Sequence, residues 1–197
     1  MRNIFKVPLV LIFALFLSAC SSNGFKADYK LKIEPFTFTN QHHEEVSLED
    51  LKGEVWLGQF VFTNCATVCG PMMVNMTKLQ DELIKENVED YKIVSFTVDP
   101  AVDSPEVLQQ YLDIFEPADE SKWEMLTGYR QDEIAEIAKK SFATIVAPDP
   151  NSNQVTHGVN FYLVNRDGNV VKMYNGSMDV QYEDIVKDMK ALIKQGT

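Results

Sequence analysis

Cys65 and Cys69 stand four residues apart in Cys65-Ala66-Thr67-Val68-Cys69, directly after the apolar run at residues 55–62. In or near helical conformation, positions i and i+4 face the same way, with Cβ atoms about 5–6 Å apart. Two soft sulfurs at that separation can grip one metal ion, and with modest adjustment they can join as a disulfide. The spacing supports metal binding and thiol redox chemistry about equally, and a purely structural disulfide is the third reading. The remaining cysteine, Cys20, belongs to a different feature of the chain, so the pair is isolated and reads as a site rather than a scaffold.

The elements around the pair must place it. Residues 35–39 alternate like a strand and lead through a polar turn at 40–45 to Val46. Ser47-Leu48-Glu49-Asp50 has the spacing of a capping box, and Gly53 suits the stop of a short helix. Residues 54–62 read as a strand buried on both faces. Pro71 fits the first turn of a helix whose apolar side is Met72, Met76, Leu79 and Leu83 and which fades near Asn87. Residues 92–98 form a second apolar strand, and Ser104 as N-cap with Pro105 opens a helix to about Phe115. A short strand at 123–126, a helix at 131–140 and a strand at 143–146 precede a polar, Pro-containing loop at 148–153. Strands at 159–164 and 170–174 flank Asn165-Arg166-Asp167-Gly168-Asn169, a hairpin signal, and a last helix covers 180–194. This order predicts a single α/β domain of thioredoxin-like fold, a central mixed sheet flanked by helices and preceded by an N-terminal extension. Cys65 then sits where a strand ends and a helix begins, and unpaired backbone N–H groups with the helix dipole favour a thiolate there.

The N-terminus accounts for Cys20. Arg2 and Lys6 form a basic start, residues 7–17 are almost wholly apolar, and Leu17-Ser18-Ala19-Cys20 sets small residues before a cysteine. This is a secretory signal, and its apolar run is about half of the roughly 20 residues that a spanning helix needs. The ending resembles a bacterial lipobox, which implies cleavage of a signal at residues 1–19 and lipidation of Cys20. Residues 20–33 become a lipidated tether and 34–197 the folded domain, extracytoplasmic and anchored to the bacterial cell membrane. Cleavage that leaves Cys20 free is the alternative. The removed segment takes two of the 18 basic residues and none of the 29 acidic ones, so the remaining 178 residues carry a charge of −13. That length suits one domain with a full core. An acidic surface of this size opposes nucleic acid, for which no motif is present, as well as anionic lipid. Outside the cytosol, thiols oxidise unless something keeps them reduced or metal-bound.

A third participant comes from the far end of the domain. Thioredoxin-like oxidoreductases place a cis-proline just before the strand that enters the final hairpin, packed against the active disulfide. Here the corresponding stretch is Val155-Thr156-His157-Gly158-Val159-Asn160, which has no proline, and His157 stands in its place. A hydrogen-bonded turn residue or a surface imidazole is the bland expectation for a histidine. Beside an exported cysteine pair in this fold, a metal-ligand role is the stronger one. Two thiolates and an imidazole suit Cu(I), the imidazole also suits Cu(II), and zinc could use the same three groups with a water.

At this point the residues resemble a known family, the Sco (SenC) copper proteins required to build cytochrome c oxidase. The resemblance runs from about Phe36 to Ile193. It rests on Phe62-Thr63-Asn64-Cys65-Ala66-Thr67-Val68-Cys69, on Val98-Asp99-Pro100 with Asp103-Ser104-Pro105, and on His157 before Phe161-Tyr162-Leu163-Val164 and Asp167-Gly168. It implies that Cys65, Cys69 and His157 bind copper, Cu(I) or Cu(II), one ion per monomer. It also implies a recipient, the dinuclear copper A site in subunit II of the oxidase, with other copper carriers or thiol reductants as further partners. The family's usual prolines directly after each cysteine are absent, with Ala66 and Gly70 in their places and Pro71 displaced by one. An enzymatic alternative uses the same residues: a membrane-tethered thiol-disulfide reductase that keeps the subunit II cysteines reduced, with Cys65 attacking and Cys69 resolving. A peroxidase related to peroxiredoxins would need threonine and proline where Phe62 and Gly58 stand.

Other candidates carry less. Asp99 ends the strand beside the cysteine strand, and its loop is expected at the same sheet edge, where sites of parallel sheets gather. It either supports the ligands or docks a partner, or it stabilises its own turn. Asp103 reads as structural. Met72, Met73 and Met76 read as core filling rather than Cu(I) thioethers. His42 and His43 read as solvated turn residues, and Trp56 and Trp123 as core.

Overall fold

The computed structural model describes residues 24–195. The lipidation candidate Cys20 and the leader expected at residues 1–19 therefore lie outside the described residues. Among the described residues no helix is long and apolar enough to cross a membrane.

Two short strands, β1 (Leu31–Lys32) and β2 (Thr37–Thr39), lead to β3 (Glu45–Ser47), which pairs with β2. Asn40 closes that hairpin by accepting the backbone N–H groups of His42 and Glu44 at 2.9 Å each. The box expected at Ser47 forms, with Asp50 accepting the Ser47 N–H at 2.9 Å and Ser47 Oγ accepting the Asp50 N–H at 3.2 Å. The helix expected behind it does not. Residues 48–53 are turns that end at Gly53 with φ of 87°. So short a segment gains too few helical bonds to offset nucleation, and burial of Leu48 and Leu51 fixes it instead.

The centre is β4 (Val55–Val61), buried at all seven positions. Then follow α1 (Cys69–Lys85), β5 (Tyr91–Thr97), α2 (Pro105–Asp113), a 3-10 turn at Glu120–Lys122, β6 (Trp123–Leu126) and α3 (Gln131–Phe142). A small hairpin of β7 (Ala147–Pro148) and β8 (Val155–Thr156) precedes β9 (Asn160–Val164), β10 (Asn169–Asn175) and α4 (Tyr182–Lys194). The main sheet has the order β1-β10-β9-β4-β5-β6. Strands β4, β5 and β6 run parallel, whereas β9 joins β4 antiparallel. The sheet is mixed, as expected.

Alternation along the strands divides the core between the two faces. Trp56, Phe60, Phe62 and Phe96 join Phe142 and Tyr162 on one side. Val55, Leu57, Val61 and Ile93 face the helices α1 and α4 on the other, against Met72, Met76, Leu83, Ile185 and Met189. Each such side chain contributes roughly 1.5–3 kcal/mol on full burial. Met72, Met73 and Met76 are all fully buried, as are Trp56 and nearly so Trp123, so these five residues are core.

One strand differs from expectation. Residues 143–146 are not a strand, because Ala143 takes the left-handed conformation that ends α3, with φ of 49°. Extended pairing starts only at Ala147, which faces Thr156, with Pro148 facing Val155. This hairpin belongs to a separate two-stranded sheet, and it carries the chain directly into His157.

Candidate metal centre

Strands β4 and β5 lie in register from Val55↔Tyr91 to Val61↔Thr97, so both end at one edge of the sheet. The segment 62–68 leaves that edge, and α1 begins at Cys69. Its origin is pinned by Asp103, which is fully buried at the end of the loop after β5. Asp103 accepts the Thr63 N–H at 3.2 Å and the Thr63 hydroxyl at 2.6 Å, and it also accepts the Thr97 hydroxyl. The carboxylate therefore ties the first residues of the cysteine loop to the neighbouring strand. Its structural reading holds, with a purpose: three donors that would otherwise be unpaired near the core are satisfied.

Helix α1 starts without a side-chain cap from Val68, and its first turn carries no acidic residue. The sulfur of Cys65 takes that place, accepting the Cys69 N–H at 3.4 Å. The two thiols are pushed in opposite directions. Burial raises that of Cys65, but hydrogen bonds from the Cys69 thiol and from the backbone N–H groups of Thr67, Cys69 and Val68 outweigh it, and the net shift is downward. Burial pushes the Cys69 thiol well up, and its role as donor to Cys65 adds to the rise. Cys65 is half-buried and Cys69 fully buried, so the more acidic sulfur is also the accessible one.

His157 completes the group. Its Nδ1 lies 2.9 Å from the Gly158 carbonyl, which can only accept, so the proton sits on Nδ1. That leaves the Nε2 lone pair directed at Cys69 Sγ, 3.2 Å away. A carbonyl behind a ligating histidine fixes tautomer and ring direction in this manner. The ring also meets Phe62 edge to face, with centroids 5.8 Å apart. Burial lowers the imidazole below its ordinary value, partly offset by the bond to Gly158, which keeps it neutral and able to ligate.

The donor atoms of Cys65, Cys69 and His157 all lie within 4.8 Å of one another. Among the described residues, no other group of three His, Cys, Asp or Glu side chains has that geometry. An ion bound with metal–sulfur bonds of about 2.3 Å and metal–nitrogen bonds of about 2.0 Å separates such donors by roughly 3.5–4 Å. Only a small contraction is required. The two thiolates and one imidazole form a soft donor set.

The remaining candidates fall elsewhere. Asp99 is half-buried at the expected sheet edge but outside the three-donor group. Its carbonyl accepts the N–H groups of Val102 and Asp103 at 3.1 and 3.0 Å. Burial, with Asp103 nearby, raises its carboxyl. His43 pairs with Glu106 at 2.9 Å, and His42 rests against Gln41. Two residues of the site were not singled out in the sequence, Gly158 and Gln154. Gly158 supplies the carbonyl behind His157, and Gln154 bonds to the backbone of the cysteine loop at Asn64 and Ala66. A lone glycine and a glutamine in a polar loop carry no pattern that would mark them.

Comparison with known proteins finds similarity in both sequence and fold. The sequence model of the SCO1/SenC family matches residues 26–194. A SCO1/SenC family lipoprotein from Bacillus anthracis is 44% identical, with a TM-score of 0.79 over 83% of this chain and 95% of its own. The structure of BsSco, a member of the Sco family of cytochrome c oxidase assembly proteins in which a disulfide switch was identified, is 47% identical. It gives a TM-score of 0.79 over 86% of this chain and 98% of its own. Yeast Sco1 with copper bound is 26% identical, with a TM-score of 0.69 over 82% of this chain and 90% of its own. These neighbours share the thioredoxin-like arrangement of a central sheet flanked by helices.

Proposed function

The chain belongs to the SCO1/SenC family, and from that membership we propose that it is a membrane-anchored, copper-binding assembly factor for cytochrome c oxidase. One copper ion per chain is held by Cys65, Cys69 and His157. The convergence of these three donors within 4.8 Å, from two segments 88 residues apart in sequence, carries the proposal. Copper-bound yeast Sco1 supports the choice of ion.

Copper here is cargo, and the site suits exchange. Cys65 is half-buried and is the cysteine whose thiol is shifted downward, while Cys69 is buried. A partner's thiolate can displace ligands one at a time, because they do not come from one rigid segment. The recipient in this reading is the dinuclear copper A site of oxidase subunit II. Lipidation at Cys20 holds the domain at the outer face of the cell membrane, a reading supported by the lipobox-like Leu17-Ser18-Ala19-Cys20 and by the B. anthracis lipoprotein.

One observation favours a second reading. The opposite shifts of the two thiols are those of an attacking and a resolving cysteine. As a reductase, the Cys65 thiolate attacks a disulfide of subunit II and forms a mixed disulfide. Cys69, as thiolate, then displaces it, leaving Cys65–Cys69 oxidised and the recipient reduced by two electrons. His157→Ala separates the two roles, because imidazole donates a copper ligand but takes no part in joining the sulfurs. The variant is expected to lose tight Cu(II) binding and any thiolate-to-copper absorption band, to cycle its dithiol normally, and to fail to restore oxidase assembly. Full assembly despite proven loss of copper binding would replace the chaperone reading with the reductase one.

A further inference from the structure

His157 reaches the cysteines from a piece of chain that the main sheet does not hold. Strands β7 and β8 pair only with each other, through Ala147↔Thr156 and Pro148↔Val155. The tip between them is closed internally. Asp149 accepts the Asn151 N–H at 2.9 Å and the Ser152 hydroxyl at 2.8 Å, and its own N–H donates to the Gln154 carbonyl at 2.8 Å. Ser152 Oγ in turn accepts the Gln154 N–H at 3.2 Å. The hairpin is thus ordered in itself, and its position relative to the cysteine loop depends on whatever crosses between them.

One side chain crosses with two bonds. Gln154 Oε1 accepts the Ala66 N–H at 3.1 Å, and Gln154 Nε2 donates to the Asn64 carbonyl at 3.0 Å. A third bond, from Nε2 to Asn153 Oδ1 at 3.1 Å, holds the amide in that orientation. The primary amide offers an acceptor and a donor at once to backbone groups two residues apart, as a neighbouring strand would, although residues 64–66 lie in the turn that follows β4. The two loop residues it grips bracket Cys65, and Gln154 itself stands three residues before His157. Its grip therefore spans the same gap that a metal ion spans, between sulfur and imidazole.

We propose that Gln154 is a positioning residue: its side-chain amide latches the His157-bearing hairpin onto the cysteine loop and so sets the separation of the three donors before metal arrives. The inference rests on the copper reading above. Without the latch, the hairpin keeps the packing of Val155 on the core and the contacts of His157 with Phe62 and Cys69. Its hydrogen bonds to the loop backbone on either side of Cys65 are gone, and the bound ion must contribute more to drawing imidazole and sulfurs together. Pre-organisation lost in this manner appears mainly as faster dissociation.

The test uses the full chain in detergent, with Gln154→Ala removing both bonds and Gln154→Glu keeping the acceptor for Ala66 while losing the donor to Asn64. In the metal-free, reduced protein, the Ala66 amide of Gln154→Ala is expected to exchange about tenfold faster. Its copper is expected to leave for a chelator about tenfold faster, while the melting temperature stays at the wild-type value, since only half-exposed loop contacts are lost. Gln154→Glu should fall between. Unchanged exchange at Ala66 in Gln154→Ala would overturn the latch. Faster exchange with wild-type copper release would show that the bonds fix the loop without positioning the ligands, which also overturns the proposal. A wild-type chain that takes up no copper would sink the functional reading, and the exchange comparison would still decide whether the latch exists.

Discussion

Gly158→Ala should damage the metal centre through its second layer, without touching a ligand. A Cβ at Gly158 would lie 2.2 Å from Thr144 Oγ1, 3.2 Å from Thr144 Cβ and 3.0 Å from the Tyr162 hydroxyl. Rotation of Thr144 can remove the first clash but not the other two, and Tyr162 is held in the core among Phe60 and Phe142. The backbone at 157–159 must therefore move. Overpacking of this kind costs roughly 1–3 kcal/mol, equivalent to about 2–12 °C in melting temperature for a chain of this size. The carbonyl of Gly158 shifts with it and releases His157 Nδ1, and losing such a partner typically lowers metal affinity about 10–100-fold. Gly70→Ala is the internal control, since a Cβ there meets nothing within 4 Å in the first turn of α1. It is expected to be neutral or to stabilise by roughly 0.5–1 kcal/mol. Competition titrations of Cu(II), thermal melting, and the nitrogen shifts of His157 in the metal-free protein would read all three effects. Wild-type affinity and tautomer in Gly158→Ala would refute the role given to that carbonyl.

Other perturbations test the parts around it. Asp103→Ala leaves the Thr63 N–H, Thr63 hydroxyl and Thr97 hydroxyl without their acceptor, and urea unfolding should show a loss of roughly 3 kcal/mol; a loss below about 1 kcal/mol would contradict its anchoring role. In the metal-free dithiol, iodoacetamide should modify Cys65 well before Cys69, at a pH below that needed for an ordinary thiol, and equal rates at the two sulfurs would contradict their opposite shifts. Because burial holds the folded His157 below the ordinary 6.5, its neutral form contributes stability above about pH 6.5 that is lost as the pH falls through the lowered value. Metal-free His157→Gln should therefore lose less stability than wild type on acidification, and parallel pH profiles would count against a buried neutral imidazole.

Much of this site was legible in the sequence because its chemistry and its elements coincide. The apolar composition of residues 54–62 announced a central strand, which the structure gives as β4, buried at all seven positions. Asp-Gly at 167–168 announced the last hairpin, which the structure closes with a Gly168 N–H bond to the Asn165 carbonyl at 2.9 Å. His157 stood out only because a proline was expected in its place. The failures are local and share a cause. At 143–146 the apolar character of Ile145 and Val146 suggested a strand, yet Val146 is buried beside α3 and Ile145 is exposed, while the true pairing uses Pro148, a residue that normally argues against one. At 48–53 the capping chemistry was real and the helix was not. Gln154 acts through two bonds made across 88 and 90 residues, and Gly158 through its carbonyl on His157 and its close packing on Thr144, and no local periodicity records such contacts.

One measurement bears most directly on the three-donor copper site: the metal content and free-thiol count of the full chain purified from membranes without air, beside Cys65→Ser/Cys69→Ser. The expected result is one copper per wild-type chain, bound to two sulfurs that become titratable as free thiols once the ion is chelated, and none in the double variant. Copper retained at the same ratio by the double variant, or zinc in its place in the wild-type chain, would contradict it.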